Sequence, residues 1–182
     1  MATITGQQSN IHSTAHTVDF GALARPMLAA VLALAAFGAV NFMAEAIGLQ
    51  PYFFSPIGLP GWAGAAIHLV LLFFVGLAIG LAANKNRAVL PWGTALVAAM
   101  IAFPFPAAAL DSLALALVMT TVLLLALATS LRIAASSRLG GWLMVPVLIW
   151  IGFGAALGLA VAAAWSPPFA LITAQNPAPV AT

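Results

Sequence analysis

Five long apolar segments, joined by short polar or proline-rich connections, decide what this chain can fold into. A transmembrane helix needs about 20 predominantly apolar residues. Only 4% of the 182 residues are charged, against roughly a quarter in soluble domains. The pattern predicts an all-α membrane protein, a bundle of five transmembrane helices. We expect its spans near residues 26–48, 62–83, 91–109, 112–131 and 142–165.

Prolines and one acidic residue set several ends of these spans. Pro26 stands at a helix start, where its missing N–H is not needed. Three prolines within residues 49–61 interrupt the chain after the first span. Pro104 and Pro106 make the third span the shortest, because proline disrupts a helix interior. Asp111 is the predicted N-cap of the fourth span.

Positive charge is confined to one side of the predicted bundle. All Lys and Arg residues lie before the first span or in the second and fourth connections: Arg25, Lys85, Arg87, Arg132 and Arg138. Cytoplasmic loops carry an excess of such residues. We therefore expect a bacterial cell membrane location with the N-terminus in the cytoplasm and the C-terminus outside. Residues 1–21 would form a polar tail, residues 22–166 the transmembrane domain, and residues 167–182 a Pro/Ala-rich tail.

The sequence lacks the motifs of several functional classes. It contains no cysteine, no HExxH or GxSxG motif, and no phosphate-binding Walker loop. The basic residues are too dispersed to follow the phosphates of a nucleic acid. We therefore expect a lipid bilayer as the main partner, with no nucleic acid, no free metal site and no enzymatic activity.

Two ionisable residues fall within the predicted spans, where such groups are costly and are functional candidates. Glu45 shares one helical face with Gly38 and Asn41. His68 lies about 9 Å below Trp62 at 1.5 Å of rise per residue, so Glu45 and His68 have similar depths. They could pair to join two helices, or form the polar end of a ligand cavity.

Small residues surround His68 on its helix. Gly64 precedes it by one helical turn and Leu72 follows by another, a spacing that resembles that of purple-bacterial antenna polypeptides. A bare turn of this kind admits a flat tetrapyrrole, with His68 as the axial ligand of its metal. In an alanine-rich chain the same spacing also arises by chance, and His68 would then be a packing residue.

Two GxxxG pairs, Gly76 with Gly80 and Gly154 with Gly158, allow helices to approach closely. Packing within the chain is one interpretation. A homodimer through these faces, or contact with other membrane subunits, is the other.

Two stretches carry a family resemblance. The first is Pro56-Ile57-Gly58-Leu59-Pro60-Gly61-Trp62, with Gly76 fourteen residues after the tryptophan. The second is Ser137-Arg138-Leu139, followed by Pro146, Trp150 and Phe153. Together they resemble the first loop, second helix and fifth helix of the TspO/MBR family, the tryptophan-rich sensory proteins related to the mitochondrial translocator protein.

The resemblance implies a five-helix fold with an outward cavity, closed by the first loop, that holds porphyrins, sterols or synthetic aromatic compounds. The predicted ligand-binding residues are Asn41, Glu45, Trp62, His68, Trp150 and Phe153. His68 stands where the family has a second Trp in helix two, and Val147 stands where it has a Tyr. The Trp and Tyr that are missing here would carry the porphyrin photochemistry reported for some members of the family. Their replacement agrees with the absence of catalytic motifs.

Two functions follow as hypotheses. In the first, the chain is a TspO-like sensory or regulatory protein that binds a porphyrin, haem, bacteriochlorophyll, carotenoid or sterol. In the second, it is a non-catalytic accessory subunit of a larger membrane pigment-protein complex of the photosynthetic type, with its cavity filled by lipid, carotenoid or its own side chains.

Overall fold

Five α-helices make up the regular structure of the computed structural model, which describes residues 20–55 and 59–165. They are α1 (Phe20–Ala46), α2 (Trp62–Ala83), α3 (Leu90–Ala102), α4 (Ser112–Ser136) and α5 (Arg138–Trp165), with a 3-10 turn at Arg87–Val89 before α3. Helices α1, α2, α4 and α5 are long and apolar enough to cross a membrane, whereas α3 is shorter. The prediction of an all-α membrane protein is therefore confirmed.

Several helix ends differ from the predicted spans. Helix α1 begins at Phe20, so Pro26 lies inside the helix and not at its start. Helix α3 stops at Ala102, before the predicted end at residue 109, and turns replace it from Phe103 onward because Pro104 cannot donate a backbone hydrogen bond. Helix α4 runs to Ser136 and α5 begins at Arg138. Ser137 alone joins them, and its hydroxyl accepts a hydrogen bond from the Gly140 N–H at 3.1 Å.

The predicted N-cap of α4 is confirmed. Asp111 has an extended backbone, and its carboxylate accepts a hydrogen bond from the Ala114 N–H at 2.7 Å. The negative charge also lies at the positive end of the helix dipole. This cap fixes where the chain leaves the turns after α3 and enters α4.

Helix α2 is the centre of the bundle, because it packs against all four other helices. Helix α1 runs antiparallel to it, with Pro26 beside Gly80 and Ala30 beside Gly76. Fully buried side chains from four helices meet around α2: Leu72, Val75, Leu96, Ile133, Met144 and Val147. This core lies in the half of the bundle that carries the basic residues.

Both glycine pairs pack helices within the chain. An added Cβ at Gly76 would lie 2.6 Å from the Ala30 Cα, and one at Gly158 would lie 3.3 Å from the Ala116 Cα. Gly154 faces the end of the Met119 side chain in the same α4–α5 interface. A homodimer through these faces stays a prediction.

The α1–α2 contact predicts the effect of one added methyl group. In Gly80→Ala the new Cβ would lie 2.5 Å from the Pro26 Cα, and such overpacking costs about 1–3 kcal/mol. In the control, Gly38→Ala, the Cβ meets nothing within 4 Å, and the helix gains about 0.5–1 kcal/mol. Thermal unfolding in detergent should therefore show a lower midpoint for Gly80→Ala only. Equal midpoints for the two variants would contradict the close approach.

Candidate ligand cavity

A cavity of about 520 Å³ occupies the end of the bundle opposite the basic residues. Helices α2, α3, α4 and α5 line it together with two irregular connections, and its surface is mostly apolar. The lining includes Tyr52, Phe53, Phe54, Gly64, His68, Met100, Phe103, Pro104, Ser112, Leu115, Met119, Trp150, Phe153, Leu157 and Val161. Ligand pockets typically have volumes of about 300–1,000 Å³.

The early end of helix α3 helps to shape the cavity. Helix α3 ends early at Ala102, so turns rather than a helix cover this side of α4. The α5 residues that line the cavity include Gly154 and Gly158, where α5 packs closely against Met119 and Ala116 of α4.

The first connection covers one side of the cavity, which stays open elsewhere, since the lining residues Phe153 and Val161 are 48% and 47% exposed. It starts at Gly48, whose φ of 77° is a left-handed conformation that glycine adopts without steric cost. The Tyr52 N–H donates a hydrogen bond to the Pro104 carbonyl at 2.8 Å. The Phe54 backbone carbonyl packs directly on Gly64, where any Cβ would collide with it. The aromatic residues are thus held by α2 on one side and by the α3–α4 connection on the other.

His68 lies between two phenylalanine rings. Its ring centroid is 5.5 Å from that of Phe37 and 5.3 Å from that of Phe53, and the Met100 backbone lies beside it. The Nε2 atom is buried and has no hydrogen-bond partner. An axial role for His68 stays a prediction.

Three of the predicted ligand-binding residues, His68, Trp150 and Phe153, line the cavity together. Trp62 is 70% exposed at the start of α2 and lies outside the lining.

The two predicted residues of α1 also lie outside the lining. The Asn41 amide donates a hydrogen bond to the Phe37 carbonyl of its own helix at 2.9 Å. Glu45 is exposed, and within the part of the chain that the structure describes no ion pair joins it to His68. Their binding roles stay predictions.

Sequence reasoning did not name the aromatic residues of the first connection as ligand contacts. Tyr52, Phe53 and Phe54 are consecutive, and they stand in a connection otherwise marked by proline and glycine. Three large aromatic side chains in a short connection indicate that the connection packs against the helices. That run was the available signal.

The lining offers van der Waals contact and few polar groups. Tyr52, His68, Ser112 and Trp150 carry uncharged hydrogen-bonding groups, and none of the lining residues is Asp, Glu, Lys or Arg. Among residues 20–55 and 59–165 no group of three or more potential metal ligands occurs. The site is suited to holding an apolar molecule.

Comparison with known proteins adds no relative to this picture. No family model matches the chain, and no curated protein is significantly similar to it. The resemblance to the TspO/MBR family therefore rests on the motifs of the sequence.

The contact between the Phe54 backbone and Gly64 predicts how the first connection can be displaced from the cavity. In Gly64→Ala the new methyl group displaces the Phe54 backbone, and a loss of about 1–2 kcal/mol would raise the open population about 5- to 30-fold. The chain has no cysteine, so a single cysteine at the lining residue Ala107 can report opening. Its labelling by an impermeant maleimide should accelerate in Gly64→Ala. Gly61→Ala is the control, because its Cβ meets nothing within 4 Å. Equal acceleration in the two variants would contradict the contact of Phe54 with Gly64.

Proposed function

We propose that this chain is a TspO-like membrane protein that binds an apolar ligand, of the tetrapyrrole, carotenoid or sterol type, in a sensory or regulatory role. One observation carries the proposal. An aromatic connection, which packs on a glycine of α2 and is hydrogen-bonded to the α3–α4 connection, covers one side of an apolar cavity of about 520 Å³.

The positions of the family-like residues support the proposal. Trp150 and Phe153 of the second motif line the cavity. In the first motif, Gly76 packs against α1, and the Pro60 carbonyl accepts a hydrogen bond from the Ser55 hydroxyl at 2.8 Å. Two residues of the second motif thus line the cavity, and Pro60 of the first motif contacts the connection that covers it.

The distribution of charge supports an outward-facing cavity. Lys85 and Arg87 follow the end of α2, whereas the lining residues Gly64 and His68 lie near its start. The positive-inside rule places the basic end in the cytoplasm. The cavity would then open toward the outer side of the membrane.

The proposal is tested by filling the cavity. The chain is purified from its own membranes in mild detergent, and apolar molecules extracted from it are identified by absorption and mass spectrometry. Leu115→Trp places a large ring in the lining, whereas Leu117→Trp alters a side chain that is 60% exposed on the same helix. Overpacking of about 1–3 kcal/mol should lower the bound ligand about tenfold in Leu115→Trp only.

Two results would contradict the proposal. Equal ligand content in the two variants would place the ligand outside this cavity. A wild-type chain that carries no ligand and migrates only with other membrane subunits would favour the accessory-subunit hypothesis instead.

A further inference from the structure

We propose that a groove where α4 meets α5 binds an anionic phospholipid, with the lipid phosphate on Arg138 and an acyl chain running along the groove into the membrane. The groove has a volume of about 260 Å³ and is lined by Ala134, Arg138, Gly141, Trp142 and Val145. None of these residues lines the ligand cavity. The proposal therefore goes beyond the proposed function and does not depend on it.

The groove is a depression in the outer surface of the bundle. Its smallest residues, Ala134 of α4 and Gly141 of α5, lie against each other, since a Cβ added to Gly141 would lie 2.9 Å from the Ala134 Cβ. Arg138, Trp142 and Val145 are exposed. A lipid of the surrounding bilayer can therefore reach the groove without any movement of the helices.

The lining changes from charged to apolar along α5. Arg138 is the first residue of the helix, Trp142 follows about one turn later and Val145 about one turn after that, over about 10 Å of helix. Indole rings gather at the headgroup level of a membrane, so Arg138 would lie among the headgroups and Val145 at the edge of the hydrocarbon. A phospholipid has the same order, with its phosphate first and its acyl chains after it.

Arg138 has a guanidinium group available for a phosphate. The neighbouring Arg132 is engaged, because its guanidinium donates a hydrogen bond to the Ala128 carbonyl at 2.9 Å and lies 3.8 Å from the Trp92 ring centroid. The Arg138 side chain makes no hydrogen bond, ion pair or ring contact with any residue of 20–55 or 59–165. Guanidinium groups bind phosphate through paired, charge-assisted hydrogen bonds.

The acidic residues that the structure describes lie away from this groove. Glu45, in the last turn of α1, and Asp111, next to the lining residue Ser112, are at the cavity end. Asp19 precedes the described residues, and the helix that follows it, α1, packs against α2 and α3 but not against α4 or α5. No described carboxylate therefore competes with a lipid phosphate for Arg138.

Charge favours an anionic lipid over a zwitterionic one. The groove lies at the end of the bundle that carries the basic residues, which the positive-inside rule places at the cytoplasmic leaflet. Anionic lipids of that leaflet attract basic residues by about 1 kcal/mol for each Lys or Arg. A choline headgroup would instead bring its own cation close to Arg138.

Native mass spectrometry of the full-length chain in detergent tests the proposal. The chain is titrated with dioleoyl-phosphatidylglycerol or with dioleoyl-phosphatidylcholine, which have the same acyl chains and differ in headgroup charge. We expect the first phosphatidylglycerol to bind about fivefold more tightly than the first phosphatidylcholine.

Two matched pairs of variants locate the bound lipid. Arg138→Gln should weaken phosphatidylglycerol binding about tenfold, because it removes charged hydrogen bonds to the phosphate. Arg87→Gln removes the same charge outside the groove lining and should leave binding unchanged. Ala134→Leu enlarges a lining residue and should also weaken binding about tenfold, whereas Ala135→Leu alters an exposed neighbour outside the lining and should not.

A preference for phosphatidylglycerol that falls in Arg138→Gln and Ala134→Leu alone supports the proposal. Equal binding of the two lipids, or no bound lipid, overturns it. An equal fall in Arg87→Gln also overturns it, because general surface charge would then account for the binding, and so does an equal fall in Ala135→Leu. Thermal unfolding checks that each variant is folded, and if Ala134→Leu is not, the arginine pair decides.

Discussion

The hydrogen bond from the Tyr52 N–H to the Pro104 carbonyl joins the two irregular connections of the molecule above its cavity. Within a membrane each unpaired backbone group is costly, so irregular chain persists only where it is paired, buried in protein or facing water. This bond, together with the contact of Phe54 on Gly64, allows a short third helix to coexist with a covered cavity.

Much of the fold could be predicted because membrane helices leave strong signals in sequence. The limits of α2 agree with its predicted span, since Trp62 and the polar turn after Ala83 mark both ends. The cap at Asp111 was equally readable. The short connection between α4 and α5 could not be predicted, because basic residues followed by Gly140 and Gly141 are typical of a longer loop. In the structure those glycines let α5 lie close to α4, where a Cβ on Gly141 would lie 2.9 Å from that of Ala134.

The candidate site was predicted in part, and the reason is geometric. His68, Trp150 and Phe153 lie on helices that line the cavity. Asn41 and Glu45 lie on α1, whose packing partner is α2 and which contributes no residue to the lining. Equal depth in a membrane does not place two residues on facing sides of their helices. Which sides face each other is decided by helix packing. Here Gly76 and Gly80 of α2 hold α1 against a side of α2 that does not line the cavity.

Amide hydrogen exchange at Tyr52 tests most directly whether the first connection is held over the cavity. An amide bonded to the Pro104 carbonyl exchanges only when the connection lifts, so its exchange rate reports the free energy of opening. We expect Tyr52 to exchange at least about tenfold more slowly than an unprotected amide. Exchange at the unprotected rate would show that the connection is not held over the cavity.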